Sequence, residues 1–255
     1  MKTKALAGVV FAAVSTLATA TAASAAPGTT TDFSKGDEGW YAGPAYDGNE
    51  GNWIDTSLGN GAPALHTRYV ETFGLNWLNS SNGAFTGDYG RFGAVTLGID
   101  VLANAIQYDG REVSRNLIVE LRDYDNAYGG MPYTSVWYNL GEISAANGGW
   151  KHYGVTIGDT ASSMLPSGWG GYGGTELEPG LPPGRTFADV LAGVDEIAFT
   201  TFTPGYVYGW TAYDVAVDNI SISPVPEPAN VAMLAGGLGL IGLMGRRRRS
   251  ANKRA

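Results

Sequence analysis

Apolar and polar side chains alternate along several short stretches in the middle of the chain. In GAVTLGIDV, residues 93–101, the apolar positions are Val95, Leu97, Ile99 and Val101. A repeat of two is typical of a β-strand with one buried face. The alternation recurs in NLIVELRD, SVWYNL, KHYGVTIGD, EIAFTTF and TAYDVAVDNISIS. The pattern therefore predicts a succession of short strands.

Helical periodicity is almost absent from this region. Only TFADVLAG, Thr186 to Gly193, has the spacing of a short helix, with Thr186 as its predicted N-cap. Turn-forming residues separate the strands, as in NSSNGAFTGDYG and PSGWGGYGGTELEPGLPPG. Many short strands without helices between them predict an all-β fold, a jelly-roll β-sandwich.

The last predicted strand changes phase along its length. Apolar side chains at alternate positions from Tyr213 to Val217 share one face, whereas Ile220 and Ile222 are displaced by one residue. A slip of one residue would turn every later side chain to the opposite face. We therefore expect a β-bulge at Asp218 and Asn219, because a bulge inserts one residue and restores the phase.

The bulge draws attention to one acidic side chain. In a jelly roll the first and last strands commonly run side by side, so we expect Asp32 to lie near Asp218. Neighbouring carboxylates repel unless a cation or hydrogen-bond donors lie between them. Asp32 and Asp218 are therefore candidate ligands of a structural Ca²⁺, a cation that prefers oxygen ligands. The alternative is that Asp218 accepts backbone hydrogen bonds at the bulge and binds no ion.

The order of these stretches resembles a known family. DFSKGDEGW is followed by FTGDYGRFGAVTLGIDV, GWKHYGVTI, FADVLAGVDEIAFT and AYDVAVDNISI. Over residues 32–223 this succession is similar to the laminin IV type B module, a jelly-roll sandwich related in shape to carbohydrate-binding modules. The resemblance implies association with extracellular matrix or glycan, and it carries over no defined set of ligand residues.

The N-terminus has the features of an export signal. Two lysines precede a stretch of apolar or small residues, and Ala23 and Ala25 place small side chains at positions −3 and −1 of a cleavage site. Residues 1–25 are therefore predicted to be a signal peptide, which leaves residues 26–224 as the β-sandwich domain. No arginine pair precedes the apolar stretch, so the general secretory machinery is the expected route.

The C-terminus, residues 225–250, has the sequence VPEPANVAMLAGGLGLIGLMGRRRRS. As a transmembrane helix, residues 229–245 would span about 25 Å, near the short limit for a bilayer. A cluster of arginines after an apolar span stays cytoplasmic, and here it consists of Arg246, Arg247, Arg248 and Arg249. The pattern predicts that residues 26–224 lie outside the membrane and that residues 251–255 form a cytoplasmic tail.

This tripartite tail resembles the PEP-CTERM sorting signal. It has Pro226, Glu227 and Pro228, then a short apolar span, then the arginine cluster. The resemblance implies that the tail is recognised by an exosortase, a membrane cysteine protease of Gram-negative bacteria that make extracellular polysaccharide. It also implies transient anchoring in the inner membrane, followed by transfer to the cell surface or the extracellular matrix.

Charge and cysteine content narrow the classes of partner. The chain has no cysteine, which excludes disulfides, thiolate metal sites and a cysteine nucleophile. Between residues 27 and 224 there are 23 acidic and eight basic side chains, a net charge of about −15. Such a domain is a poor match for nucleic acid or anionic lipid.

Motifs of catalysis are missing from the sequence. It contains neither GxSxG nor HExxH, and its two histidines, His66 and His152, have no triad spacing. Nothing pairs two of the acidic residues as a glycosidase would require. We therefore do not expect an enzyme.

The aromatic residues suggest a binding function. Trp169 and Tyr172 lie in the glycine-rich SGWGGYGG and are candidates for stacking on sugar rings, as flat aromatic side chains in a ligand site do. The alternative is that tryptophans fill the core of the sandwich, which is the expectation for Trp40, Trp137, Trp150 and Trp210.

Together these patterns predict an exported bacterial surface or matrix protein, sorted by an exosortase, that binds extracellular polysaccharide. One alternative is a purely structural matrix protein without a ligand site, which predicts few exposed aromatic rings. A second alternative is a polysaccharide-active enzyme, which predicts a cleft with two carboxylates about 5–9.5 Å apart.

Overall fold

The computed structural model describes residues 28–61, 63–175 and 180–226. The described residues form twelve strands: β1 Thr29–Thr31, β2 Gly51–Asp55, β3 Ala64–Thr72, β4 Asn76–Asn79, β5 Val95–Tyr108, β6 Arg111–Glu112, β7 Arg115–Asp123, β8 Thr134–Ile143, β9 Lys151–Ile157, β10 Trp169–Tyr172, β11 Glu196–Thr200 and β12 Thr211–Pro224. Helix α1 is Phe187–Leu191, and short 3₁₀ turns cover Tyr89–Phe92 and Ala145–Asn147. The protein is nearly all β, as the alternation predicts.

The strands form two antiparallel sheets. The seven-stranded sheet has the order β2-β3-β12-β5-β6, with β1 on β12 and β9 on β5, and the five-stranded sheet has the order β10-β8-β7-β11-β4. Along the chain, β3, β5, β9 and β12 belong to the seven-stranded sheet and β4, β7, β8 and β11 to the five-stranded sheet, so the chain passes repeatedly between the two. Two antiparallel sheets around a shared core form a β-sandwich, which confirms the all-β, sandwich part of the predicted fold class.

The core lies between the two sheets and follows the predicted alternation. Val95, Leu97, Ile99 and Val101 on β5 are all buried in it. Strand β7 contributes three further core residues at alternate positions, which are Leu117, Val119 and Leu121. Because the two inner faces supply these residues, the intervening positions of each strand lie on an outer face.

The predicted bulge is present in β12. Its pairing with β5 shifts register between Asp218 and Ser221, and Asn219 has a φ of 50°, in the left-handed region. Ile220 and Ile222 therefore return to the core face that Val217 occupies. The first and last strands also lie side by side, since Thr30 of β1 pairs with Ser221 of β12.

Helix α1 begins at the predicted cap. The Thr186 hydroxyl accepts a hydrogen bond from the Asp189 backbone N–H, and the Asp189 carboxylate accepts one from the Thr186 backbone N–H. This reciprocal capping box satisfies two donors that the first turn would otherwise leave unpaired. Phe187 and Leu191 of the helix join the core.

Candidate functional site

The outer face of the five-stranded sheet carries an unusual set of buried residues. Ile118 of β7 and Ala198 and Thr200 of β11 alternate with core residues, so they point away from the sandwich core. All three nevertheless have 0% exposure. Residues on an outer sheet face reach such burial only when other side chains or loops cover them. Other side chains or loops therefore shield this part of the outer face from solvent.

A buried ion triad lies on the same face. The Arg122 guanidinium donates to Glu120 Oε2 at 2.8 and 2.6 Å and to Glu196 Oε1 at 2.8 Å. The side chains of Arg122, Glu120 and Glu196 are only 11%, 5% and 9% exposed. Burial alone would lower the pKa of the guanidinium, but Glu120 and the hydrogen bonds to both carboxylates raise it. Arg122 is therefore charged at every accessible pH.

Neutral side chains complete the hydrogen bonding of this arginine triad. The Ser135 hydroxyl donates to Glu120 Oε1 at 2.5 Å, and the Tyr124 hydroxyl donates to Glu196 Oε1 at 3.0 Å. The Tyr133 ring lies against the guanidinium, 4.8 Å from its central carbon. With one cation and two carboxylates the triad has a net charge of −1, so it favours an uncharged ligand over an anionic one.

Tyrosine rings extend the surface beside the triad. Tyr133 contacts Tyr124 at a centroid distance of 5.3 Å and Tyr172 at 5.3 Å, with interplanar angles of 67° and 44°. Burial, with a contribution from Glu120, raises the pKa of Tyr133; burial, with Glu196, raises that of Tyr124. Both hydroxyls therefore stay protonated at neutral pH and remain hydrogen-bond donors.

A tryptophan lies flat beside these tyrosines. Trp137 of β8 pairs with Gly170 of β10, and a Cβ atom at residue 170 would collide with the indole ring. The absent side chain thus lets the ring lie over the backbone of β10. The indole N–H donates to the Gly171 carbonyl at 3.3 Å, which fixes the ring orientation. Trp137 is half-buried and, with Tyr124, Tyr133 and Tyr172, forms what we call the aromatic row.

The two predicted stacking residues have different surroundings. Tyr172 is half-buried on the outer face, in contact with Tyr133. Trp169 is 8% exposed and packs into the core against Phe187 and Tyr138, at centroid distances of 5.1 and 5.5 Å. The expectation that Trp169 is a surface residue is wrong, because SGWGGYGG forms strand β10 rather than a loop. Alternation in this strand directs Trp169 inward and Tyr172 outward.

The four tryptophans predicted to fill the core also differ in burial. Trp40 is 1% exposed and lies in the core against Phe85. Trp210 is 58% exposed, so the prediction is wrong for this residue, which packs on Phe73 in the loop regions at a centroid distance of 4.7 Å. Trp137 belongs to the outer face rather than the core, and Trp150 is half-buried.

The carboxylate of Asp218 is fully buried beside the bulge. Its Oδ2 accepts from the Asn60 backbone N–H and its Oδ1 from the Asn219 backbone N–H, each at 2.7 Å. Burial, with repulsion from Asp100 and Asp32, raises the pKa of Asp218. The two backbone donors are the arrangement expected of the alternative in which Asp218 binds no ion.

Asp32, the other predicted calcium ligand, makes local hydrogen bonds. Its Oδ1 accepts from the backbone N–H and the hydroxyl of Ser34, at 3.0 and 2.5 Å. Across residues 28–61, 63–175 and 180–226, no group of three or more His, Asp or Glu side chains is placed to hold a metal ion. A Ca²⁺ held by Asp32, Asp218 and backbone carbonyls stays a prediction.

The outer face of the seven-stranded sheet has a second triad, centred on His66 of β3. Its Nδ1 lies 3.2 Å from Asp55 Oδ2 and its Nε2 lies 2.8 Å from Asp214 Oδ1. Trp53 stacks on the imidazole at 4.2 Å, and Tyr46 stacks on Trp53 at 4.0 Å. Burial opposes protonation, but the hydrogen bonds with both carboxylates outweigh it and raise the pKa of His66.

Several predictions fall outside the described residues. These are the signal peptide with Ala23 and Ala25, the sorting residues Glu227 and Pro228, the span 229–245 and the arginines 246–249. Pro226 is described, exposed and outside any strand or helix. Among residues 28–226 as far as they are described, no helix has the length and apolar character needed to cross a membrane.

Sequence reasoning did not identify the arginine triad. NLIVELRD places Glu120 and Arg122 at alternate positions opposite the apolar ones, which indicates a shared outer face. The partners Ser135 and Glu196 come from other strands, paired with Arg122 through the sheet register. That register was not available from the periodicity alone.

Comparison with known proteins gives fold-level likenesses only. No protein-family model and no curated protein sequence matches the chain. A family 30 carbohydrate-binding module of a Clostridium thermocellum cellulosomal cellulase aligns over 78% of this chain and 95% of its own, with a TM-score of 0.44 and 12% identity. A family 11 carbohydrate-binding module of the same organism, in complex with a β-1,3-1,4-mixed-linked tetrasaccharide, aligns over 80% and 99%, with a TM-score of 0.48 and 15% identity.

An exo-β-agarase is similar over 79% of this chain and 26% of its own, with a TM-score of 0.46 and 14% identity. These TM-scores lie below 0.5 and the identities are at most 15%. The likenesses therefore carry no inference about function, which has to come from the residues of this chain.

Proposed function

We propose that the protein binds a polysaccharide along the outer face of its five-stranded sheet. The aromatic row supports this function, since the flat Trp137 ring and its neighbouring tyrosines offer the apolar surfaces on which sugar rings stack. The arginine triad beside the row supplies oriented polar groups that fix the position of hydroxyls. Ordering of the triad before binding reduces the entropy lost on association.

We also propose that the polysaccharide is extracellular, because the sequence resembles that of an exported and sorted protein. The signal-like N-terminus and the PEP-CTERM-like tail support export followed by exosortase processing. In this proposal the protein is a component of the bacterial surface or matrix, and the exosortase and the secretion machinery are its partners during sorting.

A catalytic role is less well supported. Glu120 and Glu196 are the acids that meet on the outer face, and both are bound to the same arginine. A glycosidase needs one protonated and one ionised carboxyl group with access to the glycosidic bond. Here both carboxylates are oriented by hydrogen bonds to one cation, as expected of a binding surface.

Truncating the Trp137 ring tests the binding face. In the full-length protein, Trp137→Ala should weaken retention on a glycan array at least about tenfold, because 1.4 kcal/mol is a factor of ten and an aromatic anchor contributes about 2 kcal/mol. Trp53→Ala is the matched control, since Trp53 is a half-buried tryptophan on the outer face of the other sheet. Equal loss in both variants, or no glycan bound by the unaltered protein, would contradict the proposal.

Changes to the tail test the sorting proposal separately. Glu227→Ala, or deletion of Arg246 to Arg249, should leave unprocessed or misplaced protein in the producing cell. Immunoblotting of cell fractions measures both size and location. If the altered and unaltered proteins reach the same place at the same size, the tail is not a sorting signal.

A further inference from the structure

A cavity of about 370 Å³ lies at one edge of the same outer face. It is lined by residues of three regions, the segment around Tyr41 and Gly43, the ends of β3 and β4, and the loop after β11; the lining includes Tyr41, Gly43, Tyr69, Asn76, Leu78 and Phe202. This volume lies within the range of small-ligand pockets, about 300–1,000 Å³.

Strand pairing connects the cavity to the proposed binding face. Asn76 and Leu78 of β4 pair with Thr200 and Ala198 of β11, whose side chains lie on the outer face. The aromatic row is at the opposite edge, near β10, and four strand spacings of about 4.8 Å separate β10 from β4. Trp137 is on β8, three spacings from β4. A glycan crossing the strands from Trp137 would thus reach the cavity after about 14 Å.

The cavity has one unused hydrogen-bonding group. Asn76 Oδ1 is buried and has no hydrogen-bond partner among the described residues. Other polar groups of the lining are occupied, since the Tyr69 hydroxyl donates to the Ala42 carbonyl at 3.2 Å and the Thr72 hydroxyl to the Gly74 carbonyl at 3.2 Å. An unpaired buried polar atom is unfavourable, and a hydroxyl group of a ligand would supply the missing hydrogen bond.

The remaining lining selects for an uncharged ligand. No lining residue carries a charge, and the Tyr41 and Phe202 rings are 47% and 38% exposed. Rings of this kind contact the apolar faces of sugars, whereas a uronate or phosphate would lose its hydration without gaining a cation. An amide presents both an acceptor and two donors, which suits adjacent hydroxyls of a neutral sugar.

One wall of the cavity prevents a chain from continuing. Residues 42 and 43 are held to β3 by the hydrogen bond from Tyr69, and a Cβ atom at residue 43 would collide with the Tyr69 hydroxyl. The backbone is thus packed directly against the tyrosine. A chain entering from the aromatic row therefore meets this packed backbone on the β3 side of the cavity.

We propose that this cavity binds the terminal residue of a neutral glycan chain, with the Asn76 amide as its hydrogen-bonding group and Tyr41 and Phe202 as its walls. The proposal rests on the polysaccharide-binding function of the outer face and adds two properties to it. The ligand is uncharged, and it is recognised at a chain end.

Nuclear magnetic resonance titration of the ¹⁵N-labelled full-length protein tests both properties. The probes are the linear β-1,4-glucan, β-1,3-glucan, β-1,4-xylan and β-1,4-mannan tetrasaccharides, with tetragalacturonate as the charged counterpart. At least one neutral tetrasaccharide should shift the Asn76 side-chain amide signals, and tetragalacturonate should not. No shift with any neutral probe, or an equal shift with tetragalacturonate, overturns the proposal.

Substitution of Asn76 separates this cavity from the rest of the face. Asn76→Ala should weaken binding of the responding tetrasaccharide about tenfold, while Asn49→Ala, an asparagine in an exposed loop, should not. Because Asn76 Oδ1 has no internal hydrogen-bond partner, the thermal midpoint of the Asn76→Ala protein should not fall. An unchanged midpoint distinguishes a ligand contact from a structural role. If Trp137→Ala abolishes binding and Asn76→Ala has no effect, the cavity proposal fails and the proposed function stands.

The chain-end property has its own measurement. Partial hydrolysis of the responding polymer, at constant mass, increases the number of ends. The ability of the hydrolysed polymer to displace the bound tetrasaccharide should rise in proportion to the number of chain ends. Competition that depends only on mass overturns recognition of the terminus, and loss of all glycan binding overturns both this proposal and the proposed function.

Discussion

The two outer faces of the sandwich each place one basic side chain between two carboxylates and stack an aromatic ring on it. On the five-stranded sheet Arg122 lies between Glu120 and Glu196, against Tyr133. On the seven-stranded sheet His66 lies between Asp55 and Asp214, against Trp53. The geometry is similar, but the chemistry of the basic group differs, because guanidinium does not lose its proton and imidazole does.

The difference teaches what each triad can do. In the arginine triad, Arg122 and Glu120 are on β7 and Glu196 is on the neighbouring strand β11, and the guanidinium keeps its charge at any physiological pH. The histidine triad joins edge strand β2 to β3 and β12, and its strength depends on protonation of His66. One face therefore carries an ion triad whose basic group does not titrate, and the other carries a pH-dependent attachment of an edge strand.

The largest expected effect is the loss of the arginine. Arg122→Met leaves Glu120 and Glu196 buried without their cation, and removing one partner of a buried ion pair costs about 3–5 kcal/mol. Denaturant unfolding of the full-length protein should show this decrease in the free energy of unfolding. Arg111→Met is the control, since Arg111 is exposed on β6 and surface changes are usually within about 0.5 kcal/mol.

A triple variant sharpens the same result. Arg122→Met combined with Glu120→Gln and Glu196→Gln removes the cation and both anions together, so much of the lost stability should return. If the single Arg122 variant is as stable as the Arg111 control, the triad contributes nothing and the two outer faces do not differ in the way described.

The second effect is the pH dependence of the histidine triad. The pKa of His66 is raised above its ordinary value of 6.5 in the folded state. The proton therefore stabilises the fold fully below pH 6.5, and this contribution is lost as the pH rises through the folded-state pKa. The slope is at most about 1.4 kcal/mol per pH unit for one proton.

Unfolding measured between about pH 5.5 and about pH 8.5 should show stability falling with rising pH. His66→Gln should remove this part of the slope. His152→Gln is a matched control, because the sequence has only these two histidines and the His152 side chain is 64% exposed. An unchanged slope in His66→Gln, or an equal change in both variants, would contradict the assignment.

The comparison also shows how far sequence reasoning reaches. Alternation located β5, β7, β9 and β12, and a change of phase located the bulge, because periodicity reports which side chains share a face. It did not locate β3, since ALHTRYVET mixes buried and polar residues on both faces. The arginine triad joins β7 and β11, and the histidine triad joins β2, β3 and β12. Their assembly depends on register that no local pattern contains.

The aromatic residues show the same limit in one strand. Trp169 and Tyr172 are three residues apart, and interpreting SGWGGYGG as a loop predicts that both are exposed. In strand β10 an odd separation places them on opposite faces, so Trp169 enters the core and Tyr172 the outer face. Composition favours glycine-rich loops, but here Gly170 is required by the Trp137 ring rather than by a turn.

The smallest effect concerns the acids that neither triad contains. Asp218 is fully buried, and repulsion from Asp100 and Asp32 helps to raise its pKa, so a cation beside it would relieve that repulsion. Calcium at a few times its dissociation constant would add about 1 kcal/mol to the free energy of unfolding, or about 2–4 °C to the thermal midpoint. We expect this shift between excess calcium and chelator in the unaltered protein and none in Asp218→Asn.

The outcome decides between two explanations of the bulge. A midpoint that does not move, or that moves equally in the variant, means that the Asn60 and Asn219 backbone donors alone hold the carboxylate and that no calcium binds there.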